Sequence, residues 1–219
     1  MTVHFQREID HLKKHILAVG AVVEERISGA ITAVMKHDAV LARQIIEGDD
    51  EINRMEIDVE EECLKILALY QPVAVDLRFV VAVLKINQDL ERMADLASNI
   101  GRRAEYLADM PKVEIPVELE KMSKHTQEMV KQCLDALVES NATIARQVCK
   151  ADDEVDQHNR QMHVLIQDQI REHPDNIEWL LNLLSVSRHL ERIADLATNV
   201  AEDVIYTVQG DIVRHGNRL

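Results

Sequence analysis

The chain has 219 residues and a formal charge of −14, from 39 Asp and Glu against 25 Lys and Arg. That balance disfavours a sequence-independent grip on nucleic acid or on an anionic membrane surface. The composition is 47% hydrophobic but only 3% aromatic, with six Gly and four Pro, which argues against sheet and suits long helices packed through Leu, Ile, Val, Ala and Met. The longest uninterrupted apolar run is Phe79 to Leu84, and the start, MTVHFQREIDHLKKH, has no apolar leader core. A cytoplasmic protein without membrane insertion is expected.

Apolar residues recur at helical spacing from Phe5 to Lys36, which predicts one long amphipathic helix. Asp38 is placed to cap a second helix, expected to run unbroken through GDDEINRMEIDVEEE to Tyr70 and to stop at Gln71-Pro72. A third helix starts at Asp76 and reaches Ala108, roughly 50 Å at about 1.5 Å per residue. Pro111 and Pro116 bracket a short linker. The pattern then begins again, with helices near 117–140, 142–172 and 176–208, the last opened by a capping box of Asp175 and Glu178. Two equivalent halves follow, 1–110 and 117–210, with a frayed tail beyond Gly210.

The repeat is legible residue by residue. Glu25 aligns with Glu128, Asp38 with Asn141, Asp49-Asp50-Glu51 with Asp152-Asp153-Glu154, and Phe79 with Trp179, a pair that reads as core anchors. Its clearest line is DLERMADLASNI at residues 89–100 against HLERIADLATNV at 189–200. Glu91, Asp95 and Asn99 recur at Glu191, Asp195 and Asn199. Positions four apart share a helical face, so each copy sets two carboxylates and an amide oxygen along one ridge.

Folding each hairpin back on itself sets these ridges against acidic helix starts: Asp49 and Asp50 in the first half, Asp152, Asp153 and Asp156 in the second. The same count brings Glu25 towards Asp50 and Glu128 towards Asp153. Two carboxylates about 5 Å apart repel by about 3 kcal/mol at an effective dielectric near 20, so arginines or cations must answer them. Arg54, Arg92 and Arg192 neutralise only part. The donors are all oxygens from two helices, which fits Mg²⁺, Mn²⁺, Ca²⁺ or iron, with carboxylates able to bridge several ions. His158 is the outside candidate as a nitrogen ligand, while His189 points away.

Catalytic apparatus is not evident: no Ser/His/Asp order, P-loop or Gly-rich turn occurs. A ferritin-like centre would need paired Glu-x-x-His motifs, and Glu8 to His11 stands alone. Cys63, Cys133 and Cys149 lack CxxC spacing and read as reduced, partly buried small hydrophobes.

The runs QPVAVDLRFVVAVLKINQDLERMADLASNI and SRHLERIADLATNVAEDVIYTVQG resemble the two signature segments of the PhoU family, accessory and regulatory proteins of phosphate-specific transport. The resemblance extends to FQREIDHL near the start, to the acidic starts of the second and fifth helices, and to the two-repeat plan. It implies an all-α fold of two tandem three-helix bundles related by pseudo-twofold symmetry. It also implies multinuclear metal clusters, of iron or Mn before Mg, Zn or Ca, on Glu91, Asp95, Glu191 and Asp195. Asp152 and Asp156 form a DxxxD whose first-half equivalent is Asp49 and Asn53, so the two sites should differ. The implied role is negative regulation of the phosphate-starvation response, by a non-catalytic adaptor between the ATPase subunit of the phosphate ABC transporter and a sensor histidine kinase, with a homodimer expected. The reading from another class is a metal-dependent enzyme acting on phosphate compounds, or a metal-handling protein.

Overall fold

The computed structural model describes residues 3–111 and 114–210, and the tail expected to fray lies outside them. Its elements are α1 (Val3–Lys36), α2 (Ala39–Glu47), α3 (Asp49–Tyr70), α4 (Ala74–Ala108), α5 (Val117–Glu139), α6 (Ala142–Glu172), a 3₁₀ turn at Pro174–Asn176, and α7 (Ile177–Gln209), with no strand among the described residues. The long helices form where apolar residues recur every three to four positions. On α1 the stripe Phe5, Ile9, Leu12, Ile16, Val19, Val23, Ile27 and Val34 is buried along its whole length. Trp179 is 1% exposed and anchors the start of α7, while its counterpart Phe79 is half-buried with Lys13 Nζ 5.3 Å from its ring centroid.

The same device makes the first corner of each half. His37 and Ser140 take positive φ, 54° and 50°, ending α1 and α5. The next residue then caps the following helix. Asp38 accepts from the backbone N–H groups of Val40 and Leu41, and Asn141 from those of Thr143 and Ile144. Each satisfies donors a helix start would otherwise leave bare.

Equivalent elements meet each other, α4 against α7 and α1 against α5, as a pseudo-twofold axis between the halves requires. Gly20 lets α1 approach α5, since a Cβ there would lie 2.6 Å from Leu134 Cδ2. A single buried apolar cluster runs through both halves.

Two local expectations are corrected. The second helix is not continuous: it breaks at Gly48, which sits at φ −77°, ψ 2° between α2 and α3. At the equivalent position α6 carries Ala151 and runs through. The capping box at Asp175 and Glu178 does not form either, because Pro174 opens a 3₁₀ turn and Asn176 stands before α7 without a side-chain cap bond. Glu178 instead accepts from the Tyr106 hydroxyl at 3.3 Å.

Candidate metal centre

The two ridges run along α4 and α7, the helices that meet at the middle of the molecule. Asp95, Asn99, Asp195 and Asn199 line one groove of about 440 Å³ between them, flanked by Arg92 and Arg192. Glu91 and Glu191 are half-buried one turn earlier. The register beneath is fixed by matched bonds: Asn87 Nδ2 donates to the Glu56 carbonyl at 2.8 Å, and its counterpart Ser187 donates to Asn159 Oδ1 at 2.6 Å.

In the second half the carboxylates act on one another. Asp152 and Asp156 are half-buried on α6 and Asp153 is exposed beside them. Burial, then Asp195, Asp156, Asp153 and Glu191, push the Asp152 carboxyl up to about 6. Glu191 is raised by burial and then by Asp195 and Asp156; Asp195 is raised by burial and then by Asp156. Arg192 opposes both shifts only in part. Thr198 Oγ1, one helical turn beyond Ala194, is buried without a hydrogen-bond partner. A hard cation would offset the mutual repulsion that raises all three groups, and a donor set of carboxylates suits one.

The first half has the same frame with a guanidinium set into it. Asp49 is half-buried and Asp50 exposed. Arg26 reaches in from α1 with its side chain 8% exposed, donates to the Ile45 carbonyl and to Ser98 Oγ (3.1 Å), and lies 3.5 Å from Asp49 Oδ1. Ser98 Oγ in turn donates to the same Asp49 oxygen at 2.9 Å. The Ile45 carbonyl is one that the break at Gly48 leaves without its helical partner, and a Cβ on Gly48 would collide with Arg26 Nη1. The break, the glycine and the arginine are therefore one feature. Glu91 is still raised, by burial and then by Asp95, Glu56 and Asp49, and Asp95 by burial and then by Asp49.

Several expected members stand elsewhere. Glu25 is exposed, and Arg26 is the residue of that turn that faces inward; Glu128 is likewise exposed, 4.0 Å from Lys124. Asn99 is held by Arg102, which donates to Oδ1 at 2.8 Å. His158 sits 2.8 Å from Glu118 on α5. Arg92 lies 3.4 Å from Asp89, and Arg54 donates to the Asp50 carbonyl. Burial raises the thiols, Cys63 to about 12 and Cys149 to about 11, which keeps them protonated. Sequence reasoning missed Arg26, Ser98 and Glu56. Glu56 was within reach, because the hairpin count that sets the ridge against the acidic start of α3 sets Glu91, one turn before Asp95, beside it.

The family profile described as the PhoU domain matches residues 16–104 and 119–204, one stretch in each half. The chain belongs to the PhoU family. A PhoU homolog of Pseudomonas aeruginosa, named as a phosphate-specific transport system accessory protein, is 39% identical over 214 residues, spanning 96% of this chain and 88% of that one. One from Aquifex aeolicus with the same description is 39% identical over 209 residues, 95% of each. The crystal structure of PhoU from Pseudomonas aeruginosa superposes with a TM-score of 0.92 at 38% identity, covering 94% of this chain and 100% of that one. The all-α PhoU fold is thus shared over nearly the whole chain.

Proposed function

We propose that this chain regulates phosphate uptake, as an accessory protein of phosphate-specific transport that works by contact and not by turnover. The observation that carries this reading is likeness over almost the entire length, both halves included, to proteins named as accessory to that system. Its contacts are the ATPase subunit of the transporter and a sensor histidine kinase, and it restrains the phosphate-starvation response by joining them. The net charge of −14 supports basic partner surfaces and fast, salt-sensitive association. No helix among the described residues is long and apolar enough to cross a membrane, so membrane proximity comes through the partners.

The reading includes iron or manganese held by Asp152, Asp156, Glu191 and Asp195 in the second half, and by Asp49, Glu91 and Asp95, with Glu56, in the first. Bound cations would supply the positive charge these residues lack and tie α3 to α4 and α6 to α7. The donor sets fit unequally, because Arg26 already neutralises part of the first.

Capture of the transporter's ATPase subunit and of the kinase's cytoplasmic region tests the reading, at low and high salt and with or without Mn²⁺. Binding of both, weakened by salt, is expected. Binding of neither would overturn it. So would metal-dependent hydrolysis of a phosphate ester abolished by Asp195→Ala, which would make the protein an enzyme. The reading also includes a homodimer, checked by sedimentation of the purified protein.

A further inference from the structure

Away from both ridges, α1 and α3 bring two imidazoles to one carboxylate. His11 and His15 lie four residues apart and so share a face of α1. Glu62 projects from α3 between them, with Oε1 2.8 Å from His11 Nδ1 and Oε2 2.8 Å from His15 Nδ1. The two ring centroids are 4.0 Å apart. Among the described residues this is the one group of three His, Cys, Asp or Glu donors whose ligand atoms all fall within 4.8 Å of one another. The carboxylates of the two ridges do not meet that spacing. The Glu62 side chain is 9% exposed, His11 60% and His15 40%, so the carboxylate forms the floor and the imidazoles the rim. His11 and Glu62 open to a cleft of about 900 Å³ that Glu8, Asp58 and Glu61 line together with Arg7, Lys14 and Lys65.

We propose that His11, His15 and Glu62 form a transition-metal site of the Zn²⁺ type, distinct in place and in chemistry from the carboxylate ridges. Two imidazoles and a carboxylate are donors that Zn²⁺ takes with bonds of about 2.0 to 2.2 Å, and imidazole selects it over Mg²⁺ or Ca²⁺. Ligand atoms around a tetrahedral ion stand about 3.3 Å apart, so a modest opening of the 2.8 Å contacts admits it. Each ring then binds through Nδ1 and carries its proton on Nε2. The three protein ligands leave a fourth position facing the cleft, where water or a partner's side chain completes the shell. Loading would clamp α1 to α3.

The site owes nothing to the internal repeat. The positions equivalent to His11, His15 and Glu62 in the second half are Glu114, Glu118 and Leu165. Glu118 there meets a single imidazole, that of His158.

The competing account is a metal-free pair of imidazole–carboxylate hydrogen bonds, and titration of the full chain with Zn²⁺ separates the two. Calorimetry at pH 7.5 should show that the wild type takes up one more tightly held Zn²⁺ than His11→Ala/His15→Ala. Glu62→Gln should weaken that uptake roughly tenfold or more, since losing even an outer partner of a metal ligand costs that much. Asp195→Ala should leave it in place. His11 is exposed and His15 only half-buried, so the variants should keep the wild-type circular dichroism. Should they not fold, the wild type alone decides: the first equivalent of Zn²⁺ must shift the imidazole NMR signals of His11 and His15 at pH 7.5, and a chelator must return them to their metal-free positions. Equal uptake by wild type and double variant, or unmoved imidazole signals at pH 7.5, would overturn the proposal without touching the reading of the ridges.

Discussion

Arg26 on α1 and Met129 on α5 occupy equivalent positions in the two halves, and both are buried, so one half carries a guanidinium where the other carries a thioether. The consequences follow the exchange. Beside Arg26, the Ile45 carbonyl, Ser98 and Asp49 are all engaged. Beside Met129, the equivalents are Val148 inside an unbroken α6, Thr198 with an unpartnered hydroxyl, and Asp152 raised to about 6. A duplicated frame has kept its carboxylates and diverged in what answers them.

Replacing Arg26 with Met should make the first site resemble the second. The metal-free protein should lose about 2–3 kcal/mol, because the Ile45 carbonyl is left buried without its donor and half-buried Asp49 keeps only the Ser98 hydroxyl. Uptake of Mn²⁺ by the first half should tighten by roughly a hundredfold or more, because a removed unit charge about 5 Å from the ion relieves about 3 kcal/mol per unit of cation charge at an effective dielectric near 20. Chemical denaturation and metal titration on the same preparation measure both changes. A variant that loses stability without gaining affinity would show that Arg26 only braces the break.

Gly48 gives a sharper test through its coupling to Arg26. Gly48 sits at a negative φ that alanine adopts without strain, so Gly48→Ala alone ought to stabilise by roughly 0.4 to 1 kcal/mol, by restricting the unfolded chain. Its Cβ, however, falls on Arg26 Nη1, and the substitution should destabilise by about 1 kcal/mol in the wild-type background. In the Arg26→Met background the sign should reverse, giving an interaction energy of about 2 kcal/mol in a double-mutant cycle. Additive effects would separate the glycine from the arginine.

The helices, their corners and the two ridges were legible because each rests on a local signal. Asp38 and Asn141 are polar residues just before apolar-periodic runs, and the duplicated Glu-x-x-x-Asp-x-x-x-Asn lines one face by spacing alone. The break at Gly48 was not legible. A lone helical glycine costs only about 1 kcal/mol, so the pattern reads through it, and the deciding partner is an arginine whose burial runs against the usual exposure of that residue type. Pro174 overrode the motif at Asp175 by starting a 3₁₀ turn. The site of His11, His15 and Glu62 was not read from the sequence, because Glu62 lies 51 residues from His11 in the chain and only the packing of α1 on α3 unites them.

Asp95 and Asp195 should each be needed for metal in their own half. Asp95→Ala and Asp195→Ala are each expected to lose part of the bound Mn²⁺ or iron, and the double variant nearly all of it. Arg92 lies against Asp89 at 3.4 Å, so these aspartates are not committed to that arginine, and the metal-free variants should melt no lower than the wild type. Elemental analysis and melting on the three proteins check this. Wild-type metal content in the double variant would remove the ridges as the site.

Asp152 should make the metal-free protein less stable as pH rises, the reverse of the usual carboxylate. Its carboxyl is raised from an ordinary 3.8 to about 6 by burial and by its acidic neighbours, so the folded chain holds that proton more tightly than the unfolded chain does. Between those values the native state binds more protons, the slope of unfolding free energy against pH is negative, and the penalty is complete above about 6. Other groups titrate over the same range. His189 is lowered by burial and by Arg103, which removes stability as pH falls, so the raw profile of the wild type mixes opposite slopes. Asp152→Asn isolates the one of interest, since Asn mimics the protonated acid in size and charge. After chelation the variant should exceed the wild type at pH 7.5 by on the order of 1 kcal/mol, discounted for a group only half removed from water, and by less at pH 5. Manganese should reverse the order at pH 7.5, because the wild type alone keeps the full carboxylate set, and cation binding to the native state adds stability in proportion to the logarithm of loading. Chemical denaturation at the two pH values, with and without Mn²⁺, measures all four comparisons. Equal stabilities of variant and wild type at pH 7.5 without metal would show that Asp152 has a neutralising partner within the protein.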